Sequence, residues 1–208
     1  MGKVRELLFG EDHNVYNQRT MSKVDVDMQG WASTSPSFAK AISIAKPKLI
    51  IEVGTWKGAS AIHMAKTCLE QGIDDFEIVC IDTFLGAVEH WNGTSHKFTF
   101  RNGRPIIYDV FINNVVEAGL QKYITPFPVD AHSGYQVLKG FGVQADMIYI
   151  DASHDYEAVK NDIMNTIPLL RAGGVLLGDD YRYPDVNKAV SDTLLKVSDE
   201  SDKFLWVK

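Results

Sequence analysis

The sequence predicts an α/β protein: a doubly wound, Rossmann-like and mostly parallel sheet of six or seven strands with helices on both faces. Three observations predict it. Short, continuously apolar runs recur between longer stretches of helical period. The runs lack the polar alternation that would leave one face of a sheet wet, so they read as strands buried on both sides. Strands separated by helices need right-handed crossovers, which wind the sheet outward in two directions from its centre.

Taken in order, residues 49–53 (LIIEV) form the first strand, after Pro47, and residues 59–69 a helix that stops near Gly72. The second strand is 77–82 (EIVCID). A third covers 124–129, although Pro126 and Pro128 weigh against it. The fourth strand, 146–151 (DMIYID), leads into a helix over 155–170. Gly173 and Gly174 then turn into a fifth strand, 175–179, followed by a helix over 185–197 and a last strand at 204–207. Residues 1–45 read as an N-terminal cap on the sheet. The segment 84–119 breaks the rhythm: it carries His90, Trp91, His96, Phe98 and Phe100, and helical period returns only at 108–118. A long aromatic excursion of this kind predicts an ordered lid or acceptor wall.

Length and composition, 208 residues with 45% hydrophobic content, suit one domain with a full core. No window approaches the roughly 18 apolar residues of a membrane helix, and Glu11 and Asp12 interrupt the N-terminal apolar patch, so no signal peptide is read. A cytoplasmic location follows by default. Cys68 and Cys80 sit among apolar neighbours and read as buried free thiols. The net charge of −6, with no basic stripe, argues against a nucleic-acid partner, and the lack of a long apolar window against a membrane. The expected partner is a small molecule, and a homo-oligomer is compatible with the composition.

Residues 52–60 (EVGTWKGAS) join the first strand to the first helix. Gly54 permits a tight turn and Gly58 a close approach at the helix start, where backbone N–H groups face a ligand. A dinucleotide fingerprint needs a middle glycine that makes room for a pyrophosphate, and Trp56 stands at that position. The loop therefore suits a ligand without a diphosphate; the alternative is an ordinary strand-to-helix turn. Asp82, at the end of the second strand, lies where an acid can accept both ribose hydroxyls of a nucleoside, or can serve only as a turn residue.

Asp151 ends the fourth strand, and Asp179 and Asp180 end the fifth. Adjacent parallel strands bring these acids to one end of the sheet, where unpaired carboxylates repel. A hard divalent cation such as Mg²⁺ relieves that repulsion, and oxygen ligands suit it better than zinc. Helix capping is the other reading, since Asp151 and Asp155 precede one helix and Asp180 another. His154, three residues after Asp151, is suited to take a proton from a hydroxyl beside such a metal. His63, on an apolar helical stretch, reads as packing.

With these residues in view, the chain resembles the class I S-adenosylmethionine-dependent methyltransferases over roughly residues 49–195. More narrowly, the run YIDASHDYEAV with the later GGVLLGDDY resembles the metal-dependent macrocin- and mycinamicin-type O-methyltransferases. The resemblance implies that Glu52, Gly54 and Gly58 line the methionine part of S-adenosyl-L-methionine and that Asp82 holds its ribose, with Thr55 and Ser60 also binding the cofactor. Asp130, Ala131 and His132 would contact adenine. It further implies that Asp151, Asp179 and Asp180 bind the metal and that His154 is the base, with Asp151 also serving catalysis. Ser153 stands where some relatives carry an acid. The chain also departs from the family at its end, where one strand is legible rather than an antiparallel pair. The expected activity is divalent-metal-assisted O-methylation of a small hydroxylated acceptor, a sugar or a phenol; Trp31 and Trp91 are candidates for stacking on it, with lid packing as the other reading. The alternatives are metal-independent N- or C-methylation, an NAD(P)-linked oxidoreductase, and a non-catalytic nucleoside-binding module.

Overall fold

Continuous apolar runs do become central strands, and the chain order is the predicted alternation. The computed structural model describes residues 2–11, 13–17, 24–31, 33–93 and 99–208. Helices α1 (Lys3–Phe9) and α2 (Ser37–Ala45) precede β1 (Leu49–Val53), α3 (Ala59–Glu70) and β2 (Glu77–Asp82). The 84–119 excursion contains the short α4 (Val88–Trp91), a small hairpin of β3 (Phe100–Arg101) and β4 (Arg104–Pro105), and α5 (Ile107–Glu117). His96 and Phe98 lie outside the described residues. Then follow β5 (Ile124–Pro128), α6 (Ala131–Gly140), β6 (Ala145–Ile150), α7 (Tyr156–Thr166), a 3-10 turn, β7 (Leu170–Gly178), α8 (Pro184–Thr193), β8 (Ser198–Glu200) and β9 (Lys203–Val207).

The main sheet has seven strands in the order β5-β2-β1-β6-β7-β9-β8. The first five are parallel, β9 runs antiparallel to β7, and β8 antiparallel to β9. The winding direction reverses between β1 and β6, which opens a crevice beyond their carboxyl ends. The pleat sends alternate residues to opposite cores. Ile50 packs with Phe38, Ile42, Met64 and Phe111, whereas Ile51 and Val53 pack with Tyr135, Leu138, Val159 and Val190.

Three sequence expectations change. The seventh strand, illegible in the sequence, is β8; its Ser-Asp-Glu composition lies at the sheet edge, where no apolar signal is required. Together with β9 it is the antiparallel pair that the sequence did not reveal. Gly173 and Gly174 lie inside β7 rather than before it, in a bulge: Ala145 pairs with Leu170, but Met147 pairs with Val175. The preceding helix ends at Thr166, not 170, because Ile167–Leu169 tightens into a 3-10 turn, and α8 stops at Thr193 where Leu194 becomes extended. The prolines of β5 are tolerated because β5 is an edge strand. Among the described residues, no helix is long and apolar enough to cross a membrane.

The N-terminal helix is tied to the sheet by one buried acid. Glu77 accepts hydrogen bonds from the Val4 and Arg5 amides at 2.9 Å and from the Thr125 hydroxyl at 2.8 Å. Replacing it strands two helix-terminal donors. Glu77→Ala is expected to cost about 2 kcal/mol in urea denaturation; an unchanged midpoint would show that these bonds contribute nothing net.

Candidate active site

The loop after β1 is held in place by sterics and by one carboxylate. Gly54 has φ +82°, and a Cβ there would lie 2.2 Å from the Asp151 carbonyl oxygen, so β1 and the end of β6 approach too closely for any side chain. Gly58, at φ +85°, has the Phe111 ring 2.8 Å from the position of a Cβ. Asp82 Oδ2 accepts the amides of Thr55 and Trp56 at 2.9 and 2.8 Å, and Oδ1 accepts that of Phe84 at 2.7 Å. Three of the carboxylate's roughly four acceptor positions are thus taken by backbone. Burial raises the Asp82 carboxyl above its ordinary range, while those amides pull it back down.

Beneath the loop, Glu52 is fully buried. It accepts the Thr55 hydroxyl at 2.5 Å, the Ser60 hydroxyl, and the Cys80 thiol at 3.4 Å. Burial pushes its carboxyl up to about 7, opposed by the hydroxyl bonds and helped by the charge of Asp82. Cys68 and Cys80 are both buried and free. His63 packs edge-on against Phe38 at 5.6 Å, in keeping with a structural role.

A cleft of about 530 Å³ opens above the switch point. One end is lined by Val53, Gly54, Thr55, Ile81, Asp82, Thr83, Val129 and Ala131, an apolar slot with an acid beside the loop. The other is lined by Gln29, Trp31, Trp56, Glu89, His90, Tyr183 and the acids Asp151, Asp179, Asp180 and Asp202. Ser60 and His154 also face the cleft, whereas Glu52, Gly58 and Asp130 do not line it. Glu52 is bonded to the Thr55 and Ser60 hydroxyls, Gly58 lies against the Phe111 ring, and Asp130 is the N-cap of α6, accepting the Ser133 amide at 3.0 Å. Its neighbours Val129 and Ala131 face the slot instead, and His132 is not among the lining residues.

The structure brings Asp179 and Asp180 together with Asp202, an acid that the sequence did not single out, whereas Asp151 lines the same cleft but is not among the acids whose oxygens lie within 4.8 Å of one another. Tyr149 on β6 has its hydroxyl 2.9 Å from Asp151 Oδ2 and 2.8 Å from Asp179 Oδ2, bridging the two strand ends. Lys203 on β9, 1% exposed, forms an ion pair with Asp179. The Asp180 amide donates to Asp179 Oδ1 at 2.8 Å, and Asp180 itself sits at φ +57°. Burial and the neighbouring Asp179 push the Asp151 carboxyl far up. Among the described residues, the acids with donor oxygens all within 4.8 Å of one another are Asp179, Asp180 and Asp202. Asp202 comes from the β8–β9 turn, and its Oδ1 is buried with no hydrogen-bond partner. An orphaned buried carboxylate oxygen beside two further acids fits a hard cation, which supplies the missing partner.

His154 Nε2 lies 2.7 Å from Asp180 Oδ2, and its ring stacks on Tyr183 at 5.0 Å. The bond to Asp180 raises the imidazole above its ordinary value, with burial opposing. Trp31 lines the cleft and Trp56 stacks on His90 at 4.4 Å. Trp91 is not a lining residue; its indole donates to Leu85 O at 2.9 Å. Two side-chain bonds tie residues 27–29 to the loop: the Trp56 indole donates to Gln29 at 2.8 Å and the Lys57 ammonium to Asp27 at 2.5 Å.

Residues 51–181, more than half of the chain, match the methyltransferase domain family. Solved structures agree in fold. An O-methyltransferase from Bacillus cereus in complex with SAH superposes with a TM-score of 0.60 at 17% identity, over 93% of this chain and 87% of that one. The O-methyltransferase NovP gives 0.60 at 17%, over 83% and 78%. CalS11, a TDP-rhamnose 3′-O-methyltransferase of calicheamicin biosynthesis, gives 0.59 at 17%, over 82% and 77%. No curated protein matches the sequence significantly. The fold and the family match together define a class I methyltransferase, an enzyme that takes its methyl group from S-adenosylmethionine. The chain belongs to the methyltransferase domain family.

Two outcomes follow. Gly54→Ala drives a Cβ into the Asp151 backbone and is expected to weaken S-adenosylhomocysteine binding by at least about tenfold in calorimetry; unchanged affinity would mean the loop tolerates the displacement. Glu52 titrates near 7 when folded and near 4.5 when unfolded. Its contribution to stability is therefore complete below about 4.5 and is lost as the pH rises through 7, by roughly 3 kcal/mol. In urea titrations at pH 5 and pH 8, Glu52→Gln is expected to remove that part of the slope; equal pH dependence in both proteins would contradict it.

Proposed function

We propose that the protein is an O-methyltransferase acting on a small hydroxylated acceptor, a sugar or a phenol, with a divalent metal ion, Mg²⁺ by preference, in the acidic cluster. The observation that carries this reading is the convergence of Asp179, Asp180 and Asp202, one with an orphaned buried oxygen, at the acceptor end of a cleft whose other end suits a nucleoside. Asp151 joins these acids as the residue at the end of β6.

The cofactor end reads as follows. Val53, Ile81, Val129 and Ala131 enclose the adenine, while Thr55 and Ser60 face the methionine portion. Asp82 fixes the loop through its backbone bonds and offers its remaining acceptor position to the ribose. Gly54 and Gly58 keep the backbone close, and Glu52 orients the Thr55 and Ser60 hydroxyls from below. Asp130 shapes the slot only through its cap.

A divalent ion held by Asp179, Asp180 and Asp202 with Asp151 would supply Lewis acidity that lowers the pKa of an acceptor hydroxyl. His154 takes the hydroxyl proton. With Nε2–H donating to Asp180, the neutral ring carries its lone pair on Nδ1. The acceptor oxygen then attacks the methyl carbon in line as the bond to sulfur breaks, leaving a neutral thioether. Holding both reactants in one cleft supplies much of the rate. Trp31 and Tyr183 wall the acceptor, the segment 84–119 contributes Glu89 and His90 to the same wall, and residues 1–45 contribute Gln29.

The test is methyl transfer from S-adenosylmethionine to a panel of vicinal diols and phenols, with and without EDTA. Activity restored by Mg²⁺ or Mn²⁺ is expected. Asp180→Asn should lower kcat by at least about a hundredfold while S-adenosylhomocysteine binding persists. Chelator-resistant transfer with full activity in Asp180→Asn would remove the metal from the account.

A further inference from the structure

Lys203 is a feature of the acidic cluster that a cation site does not call for. Its ammonium is 1% exposed, lies 5.3 Å from the Phe38 ring centroid and 5.4 Å from that of Tyr149, and forms an ion pair with Asp179 Oδ2. It also lies 3.3 Å from the Tyr149 hydroxyl. A buried lysine survives only when its charge is matched, and here the match is an acid of the cluster itself. Asp179 is consequently held at both ends: Oδ2 by Lys203 and Tyr149, Oδ1 by the Asp180 amide. Asp202, the adjacent residue in the same hairpin, has no such restraint on Oδ1.

We propose that Lys203 is a positioning residue that acts as a fixed internal cation of the metal site. It holds Asp179 in a single orientation, keeps the cluster intact when no ion is bound, and sets the affinity for a divalent ion lower than the acids alone would give. The chain's closing hairpin thus delivers both a ligand acid, Asp202, and the counter-charge that moderates the site. This inference rests on the metal reading above.

The experiment is Mn²⁺ binding by electron paramagnetic resonance, together with thermal unfolding, on the full chain without cofactor. Lys203→Gln retains a donor to Asp179 but loses the charge, and Lys203→Arg retains the charge. The expected result is that Lys203→Gln binds Mn²⁺ at least tenfold more tightly than wild type and unfolds at a lower temperature without ion. Mn²⁺ should restore that temperature, whereas Lys203→Arg should keep an affinity close to wild type. If Lys203→Gln folds only with ion, the Mn²⁺ concentration at half-folding supplies the affinity. A Lys203→Gln protein that binds no more tightly, or stays unfolded in millimolar Mn²⁺, overturns the proposal while wild-type binding leaves the metal reading standing. Wild type that binds no Mn²⁺ overturns both.

Discussion

Negative charge gathered at the end of two adjacent parallel strands is the constraint around which this molecule is arranged. Asp151 and Asp179 directly follow β6 and β7; the Tyr149 hydroxyl lies within hydrogen-bond distance of both, and the buried ammonium of Lys203 pairs with Asp179. Asp180 is matched in turn by His154. Such groupings cost desolvation energy that a purely structural protein avoids, since apolar side chains would fill the same space at less cost. Their position beside an open cleft is what the proposed chemistry draws on.

The sheet carries the rest of the site without further electrostatics. The reversal of strand order at β1 and β6 creates the crevice, and the absent side chain of Gly54 lets the loop and the end of β6 close on each other. Asp82 then locks the loop from the β2 side through backbone bonds, so this wall of the cleft is preformed. Preformed walls matter for methyl transfer because the reaction gains from fixed geometry more than from new bonds.

Much of this was legible in the sequence. The apolar runs at 49–53 and 77–82 coincide with β1 and β2, and Gly54, Asp82, Asp151, Asp179, Asp180 and His154, singled out by type and spacing, all line the cleft. What stayed hidden had physical reasons. The strand β8 is an edge strand of Ser, Asp and Glu, with no apolar residue to announce it. Asp202 lies in a hairpin turn, where an acid is ordinarily a turn former, and only the antiparallel return of β9 carries it to the cluster. Tyr149 and Lys203 sit on strands where period-two patterning reads a tyrosine as packing and a lysine as a solvated edge. The β7 bulge likewise reads as a turn because its glycines are adjacent. The signal that would have found Asp202 and Lys203 is their distance along the chain from the strand end they face, which needs the topology first.

In the proposed function an ion sits among Asp179, Asp180 and Asp202, beside the part of the cleft assigned to the cofactor. The most direct measurement is an anomalous difference map, at the manganese edge, of crystals grown with S-adenosylhomocysteine and Mn²⁺. The predicted result is a peak at coordination distance, about 2.2 Å, from oxygens of Asp179, Asp180 and Asp202, with the nucleoside in the slot beside Gly54 and Asp82. A map showing the nucleoside in that slot and no peak among these acids would contradict it.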